Sequence, residues 1–544
     1  MVICAKDYGV LPGNTDVKAL EKLLDALKET TDKKELVFLP GDYIINSQSL
    51  KSRMFYITNT VGDREFSSDE TPHKNRAMLC FEGIENLTVS GNGAQFIADG
   101  KTTNMALENC KNIKIRDVAF SAIKPDMHEL RVLSVKPFAV DFEIDGDSDF
   151  SFENGKLYFE GRDYKVAADM SALNAHWIGL IRAKTPQKVQ RVSHPLLMAL
   201  KILPLGGRRF RAVYSNTLRF KRDDCFYLFD VRRQYAGIFL NGCKNIELSK
   251  IKQGFNYSLA LVAQDCDTLT CKGLDFSPNE NSPLKMASVA DFIQICMCRG
   301  EVKIQNSNFD GAGDDCINTH GIHFNIKKLS DNRFVARFMH PQSHGFNPLR
   351  RGDTVAFINS SDMLEYGCRA EILSSKLRNE YEIELELNVS DIPAGCDVIE
   401  DISACPSLVF ENNTLRRIIT RAVLYTSRGK CLIKNNRFIS NTMSGILLSD
   451  DAKSWYESGM CRDVTIEDNV FEYCGQTPIL IKPENTLHRG AVHKNITIKN
   501  NIFKAYKGAC IYAKSTDGIN IEGNTFLRRN PVKTLNCQNV SISL

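Results

Sequence analysis

Ile496-Thr497-Ile498-Lys499-Asn500-Asn501-Ile502-Phe503 and, 23 residues on, Ile519-Asn520-Ile521-Glu522-Gly523-Asn524-Thr525-Phe526 are one phrase written twice. Apolar and polar residues alternate, as they do in a strand with one buried face. The phrase recurs at Ile113 to Phe120, Leu269 to Phe276, Val302 to Phe309, Cys431 to Phe438 and Val464 to Phe471, each time with seven residues from its first residue to its Phe. Ile246 and Leu408 begin weaker copies. Successive starts differ by 23 and 33 residues from 246 to 302, and by 23, 33, 32 and 23 from 408 to 519. Steps of that size are one coil of a stacked strand repeat with corner loops of variable length. The spacing therefore predicts an all-β, right-handed parallel β-helix, a solenoid.

Two columns support the stack. Asn413, Asn436, Asn469, Asn501 and Asn524 each stand five residues after the phrase begins. Asn tolerates a left-handed backbone and bonds to neighbours above and below, so this column reads as a turn ladder. The Phe column reads as a core ladder. Cys110, Cys243, Cys266, Cys405, Cys461 and Cys537 each precede a phrase by three residues, which makes them interior small side chains rather than disulfide partners. Cys296-Met297-Cys298 has no second pair, so zinc spacing is absent.

Two gaps interrupt the rhythm, 133 residues from Ile113 to Ile246 and 106 from Val302 to Leu408. Both contain alternating stretches such as Phe138–Ile144 and Tyr381–Leu387. They read as antiparallel, barrel-like β insertions. The expected organisation is 1–121 for the N-terminal cap and first coils, 122–234 for the first insertion and 235–323 for further coils. A second insertion follows over 324–402, and C-terminal coils over 403–544. Near the start, Thr15-Asp16 can cap a helix whose Leu20, Leu23, Leu24 and Leu27 share a face. Such a helix would plug the first coil.

The second strand of each coil carries the chemistry. Aligned by pattern, Asp291 and Asp315 fall in one column, which the same alignment fills with Ala422, Gly445, Pro478 and Ala509 in later coils. Asp314 stands beside them in Gly313-Asp314-Asp315-Cys316-Ile317-Asn318-Thr319-His320-Gly321. Carboxylates on coils about 4.8 Å apart repel, so at least one should hold its proton more tightly. That is the equipment of acid/base catalysis on a sugar bond. Turn capping and a calcium site are the competing readings of the same acids. Asn318 and His320 share the acids' strand and are placed at sugar hydroxyls. Downstream, Asp451 through Trp455-Tyr456-Glu457-Ser458-Gly459 holds one of two tryptophans, a platform for a sugar face with Asp451 and Glu457 for its hydroxyls.

The net charge of +4 and the lack of a basic stripe speak against nucleic acid. No run of eighteen apolar residues suggests a membrane span. The opening residues do not have the form of a signal peptide. As a full native chain this reads as cytoplasmic, or as secreted if a leader preceded it. A homodimer is left open.

Several phrases in order resemble glycoside hydrolase family 110, the α-1,3-galactosidases. They are Arg53–Asn59, Ala290-Asp291-Phe292, Gly313–Gly321, His340-Pro341-Gln342, Gly352-Asp353 and Asp451 with Trp455–Gly459, spanning roughly 35–530. The resemblance implies an inverting exo-hydrolase acting on terminal α-1,3-linked galactose of an oligosaccharide or glycan, with no metal or other cofactor. It implies Asp314 as general acid, and Asp291 and Asp315 as the pair that holds and activates water. Gln294, placed with the sugar-binding residues, stands where relatives tend to carry His. Lys453 stands where an aromatic is common, and Asn318-Thr319-His320 replaces a more usual Asn-Val-His. These departures leave α-N-acetylgalactosaminidase activity open. Two further enzymatic alternatives are a polygalacturonase-like hydrolase using Arg421 and Arg428 on uronates, and a calcium-dependent polysaccharide lyase. A carbohydrate-binding β-helix without catalysis is the alternative of another class.

Overall fold

The computed structural model describes residues 1–29, 32–60, 73–168, 178–182, 184–186, 188–229, 233–280, 282–504, 508–527 and 530–543. Its body is the expected right-handed parallel β-helix. The phrase-bearing strands stack in parallel register, with Ile246 opposite Leu269, Leu269 opposite Val302, and Val302 opposite Leu408. The column continues through Cys431, Val464, Ile496, Ile519 and Val540. A short second strand follows each corner, as Arg437–Phe438 over Thr414–Ile418. The remaining face is a parallel sheet running from Lys74–Glu82 through Ile293–Cys296 to Val532–Leu535.

Side-chain ladders hold the coils in register. Phe438, Phe471, Phe503 and Phe526 stack with ring centroids 4.6, 5.0 and 5.0 Å apart. Each such aromatic pair adds about 0.5–1.5 kcal/mol beyond its burial. In the Asn ladder, the Asn413 amide N–H donates to Asn436 Oδ1, Asn436 to Asn469, Asn469 to Asn501 and Asn501 to Asn524. The left-handed backbone lies one residue earlier than the sequence pattern suggested, at Asn412, Asn435, Asp468, Asn500 and Gly523. The division of labour is physical: the preceding residue makes the turn, and the ladder Asn, now facing inward, satisfies the amides the turn exposes. The cysteines are free thiols, and Cys110, Cys243, Cys266 and Cys298 sit buried in the same interior column.

A helix, Val17–Ala26, closes the first coil. Asp16 caps it by accepting from the Lys18 amide at 2.9 Å, and Leu20, Leu23, Leu24 and Leu27 are buried beneath it.

The chain leaves the solenoid twice. After Lys111–Ala122 it builds an antiparallel sheet, in which Met127–Lys136 lies between Cys225–Phe229 and Ala139–Ile144, over a core around Phe142, Phe210 and Phe226. It returns at Ala236–Asn241, directly against Thr103–Glu108. The second departure starts inside one long strand, Ile317–Ser330. Its first four residues pair in the solenoid, while Phe324 onward pairs antiparallel with Val398–Asp401 and Arg333–Arg337. Both excursions return the chain to the next coil, so the stack is not interrupted.

Candidate active site

Asp291 and Asp315 occupy one column on adjacent coils: Ile293 pairs with Ile317, and the Phe292 amide donates to Asp315 O two residues earlier in that register. The next coil does not follow the sequence alignment. Ile317 pairs with Val423, and the Cys316 amide donates to Arg421 O, so Arg421 and not Ala422 stands over Asp315. The column continues through Ser444, because Val423 pairs with Ile446. A slip of one residue exchanges the two faces of a strand. Ala422 and Gly445, taken as the small residues of the acid column, lie in the neighbouring one. The column is therefore Asp291, Asp315, Arg421: two acids and a base.

Glycines let the acid coil approach its neighbour. A Cβ on Gly313 would lie 2.1 Å from Val289 O, and one on Gly311, whose φ is +88°, would lie 2.5 Å from Met286 Cα. Only glycine fits where the turn delivers Asp314 and Asp315.

The three acids are almost fully buried, with Asp315 1%, Asp291 2% and Asp314 6% exposed. Asp315 accepts from the Arg421 amide at 2.9 Å and from the Arg421 guanidinium at 2.6 Å. Asp291 accepts from the Asp315 amide at 3.2 Å and from Asn59 Nδ2 at 3.5 Å. Asp314 is ion-paired through Oδ2 to Arg233, at the end of the first insertion. Thr420 Oγ1 lies 3.0 Å from Asp314 Oδ1 and also contacts Asp315 Oδ1. One hydroxyl has one hydrogen. Both contacts are satisfied when one of these carboxyl groups carries a proton.

The electrostatics agree. Burial, then repulsion from Asp314 and Asp315, raises Asp291 well above the usual carboxylate range. Burial lifts Asp315 to about 6 although Arg421 pulls it down. Arg233 is raised despite its burial, because Asp314 and Asp291 favour its charge. Three carboxylates between two guanidinium groups share a tightly held proton, with Asp291 and Asp315 both raised.

Beside the acids is a hollow of about 310 Å³ whose lining includes Asn59, Gln294, His320, His340, Trp455 and Glu457. Asn59 belongs to both, since its amide group also touches Asp291 and Arg233. Of the sequence-nominated residues, Gln294 and His320 contact each other at 2.5 Å, and Asn318 donates to Glu457 at 2.9 Å. Trp455 stacks on His340 with centroids 4.4 Å apart and remains 42% exposed. Burial, with Arg233 nearby, pushes His340 down to about 4, so the ring that meets Trp455 is neutral. Asp451 faces its own loop: its carboxylate accepts from the amides of Lys453, Ser454 and Trp455. Asp451 thus sets the position of Trp455 and has little left for a ligand.

Asn59, Arg233, Thr420 and His340 were not nominated from sequence. Asn59 ends the phrase Arg53–Asn59 and His340 opens His340-Pro341-Gln342, phrases that carry the family resemblance without marking either residue as part of a site. Thr420 has no signal in the sequence, and Arg421, a candidate there for uronates, is placed by register over Asp315. Arg428, a candidate for uronates, is committed to Glu400 and Glu365.

Residues 401–526 match the family described as right handed beta helix region, and 333–398 match GLAA-B beta-barrel domain II. An α-1,3-galactosidase A of Bacteroides thetaiotaomicron is 32% identical over 520 residues, covering 93% of this chain and 89% of that protein. The chain belongs to the α-1,3-galactosidase family, glycoside hydrolase family 110. Other members it resembles are an α-1,3-galactosidase A of Bacteroides fragilis and an α-1,3-galactosidase B of Phocaeicola vulgatus. The first is 29% identical over 561 residues (96% of this chain, 86% of that one), the second 27% over 567 (97% and 90%). As a member of this family, the protein is a glycoside hydrolase with a glycan substrate.

Proposed function

We propose that this hydrolase releases terminal α-1,3-linked galactose from an oligosaccharide, with inversion. The observation that carries the reading is the small hollow joined to the acid cluster through Asn59. Met339, His340 and Ser343 of the second insertion wall it. A short walled site suits the end of a glycan better than its middle, and the relatives' names supply the sugar and the linkage.

Asp314, the least buried of the acids, gives a proton to the departing glycosidic oxygen as the C1–O bond breaks. A water held by Asp291 and Asp315 attacks C1 from the opposite face and gives its proton to that pair. One proton enters the aglycone, one leaves the water, and the pair of acids ends the cycle with the proton to return. Trp455 offers a ring face to the sugar, while Gln294, Asn318, His320 and Glu457 receive its hydroxyls.

The test is proton NMR of an α-1,3-linked galactosyl disaccharide during the first turnovers, with α-N-acetylgalactosaminides and galacturonides in parallel. β-Galactose should appear first. α-Galactose appearing first refutes inversion, and preferential release of either other sugar moves the substrate.

A further inference from the structure

Arg233 and the catalytic proton compete for the same atom. The guanidinium holds Asp314 Oδ2, while Asp314 Oδ1 is held by Thr420. A carboxylate paired with a guanidinium is a poor proton donor, so the pairing seen here has to break before Asp314 acts as an acid. Arg233 has somewhere to go. Its other nitrogen, Nη1, reaches Asn59 Oδ1 at only 3.3 Å, and Asn59 lines the hollow.

Resting on the reading above, we propose that Arg233 is a substrate-displaced positioning residue: sugar hydroxyls take over its N–H groups, and Asp314 is released to receive the proton. The proton comes from within the cluster. Another carboxyl group of the cluster gives it up and becomes a carboxylate, and Asp314 becomes the carboxylic acid, with no net uptake in that step. Thr420 is placed for the exchange, because its one hydroxyl hydrogen can then go to Asp315 while Oδ1 of a neutral Asp314 no longer competes for it.

Among the described residues, the charged groups facing Asp314 are Asp291 and Asp315 from its own sheet, Arg421 from the next coil, and Arg191 and Arg233 from the first insertion. His340 of the second insertion faces Arg233, and Glu457 faces Arg421. Arg233 is paired with Asp314 and in contact with Asn59, a residue of the hollow. Moving its charge away makes the cluster hold its proton more tightly. The basic limb of kcat, which reports the substrate complex, should therefore lie above that of kcat/KM, which reports the free enzyme.

The experiment compares wild type with Arg233→Gln and Arg233→Lys on an aryl α-galactoside. Wild type should separate the two basic limbs by about one pH unit or more, since a unit charge at a few ångströms is worth at least that much. Arg233→Gln should close the gap and Arg233→Lys should keep most of it. A second measurement needs no turnover: calorimetry of galactose binding in two buffers of different ionisation enthalpy, on the alkaline side of the wild-type limb. Wild type should take up protons on binding, and Arg233→Gln should not. An unchanged limb gap in Arg233→Gln, or equal proton uptake in both proteins, overturns the inference. A wild type that neither binds galactose nor cleaves any α-galactoside sinks the reading of function itself, so the two failures are distinguishable.

Discussion

Arg421 is the residue whose removal tests the acid column most directly. Its guanidinium contacts Asp315 at 2.6 Å, and its backbone amide contacts the other oxygen at 2.9 Å. Arg421→Met keeps the amide and much of the apolar length while deleting the charge. Asp315 already sits at about 6 because burial outweighs that charge. At an effective dielectric of about 20, two charges about 4 Å apart interact by about 4 kcal/mol, or about three pH units. Relaxation and entering water will absorb part of this, so a rise of about one to two units is expected. The sign follows from the role. The water-holding pair must be ionised to accept a proton, so activity falls below its apparent pKa, and raising that value moves the acid limb of kcat/KM upward. One unit costs about tenfold in rate on the acid side and little on the neutral plateau. Initial rates on an aryl α-galactoside from about pH 4 to about pH 9 read the limb, and circular dichroism checks the fold. A limb that stays at the wild-type pH while all rates drop uniformly would refute the pairing argument. The limb belongs to the coupled cluster, so the comparison is between profiles and not between single residues.

Three other variants probe the remaining parts. Asp314→Asn should lose about 10²–10⁴-fold on alkyl galactosides and much less on aryl galactosides with good leaving groups; equal losses would remove Asp314 from the acid role. Asp291→Asn should be inactive yet increasingly stable relative to wild type as pH rises above the ordinary carboxylate value. The folded protein holds that proton more tightly than the unfolded chain, so Asp291 favours folding at low pH and the benefit is lost as pH rises through its raised value. A Tm difference independent of pH would contradict its raised proton affinity. Trp455→Ala should raise KM about tenfold, the worth of one ring contact near 1.4 kcal/mol, with kcat nearly unchanged. Loss confined to kcat would place the ring away from the sugar.

The fold was legible because a solenoid writes its geometry into the chain repeatedly. Ile496 and Ile519 are aligned by their spacing alone, and the structure pairs them. The helix was legible for a similar reason, since Asp16 and four leucines state a cap and a face. The acids were legible in part. Asp291 and Asp315 are 24 residues apart, within one coil, and local spacing sufficed. Arg421 was recorded only as a candidate for uronates because 106 residues separate it from Asp315. Asn59 and Arg233 were missed because they come from a connection between the early coils and from the end of an insertion. Single residues brought in by long connections have no period to betray them.

The stacking of Arg421 on Asp315 shows how the second insertion is joined to the site. Without it, Asp315 and Arg421 would be one ordinary coil apart, and the column would be easy to read. With it, the strand that carries Asn318 and His320 runs on without a break into Ile322, Phe324 and the insertion sheet. Gly321 and Ile322 pair with Ser458 and Glu457, the end of the Trp455 loop. The insertion therefore grows from the acid strand, walls the hollow with His340, and meets the loop that carries Trp455. It also leaves Arg421 stacked on Asp315, because parallel strands recognise one another by backbone and not by sequence distance. Acids from two adjacent coils, a cation from the next and Arg233 from one insertion form one cluster, and His340 from the other insertion lines the hollow beside it. The solenoid supplies the rigid spacing of the charges, and the insertions supply the groups around them.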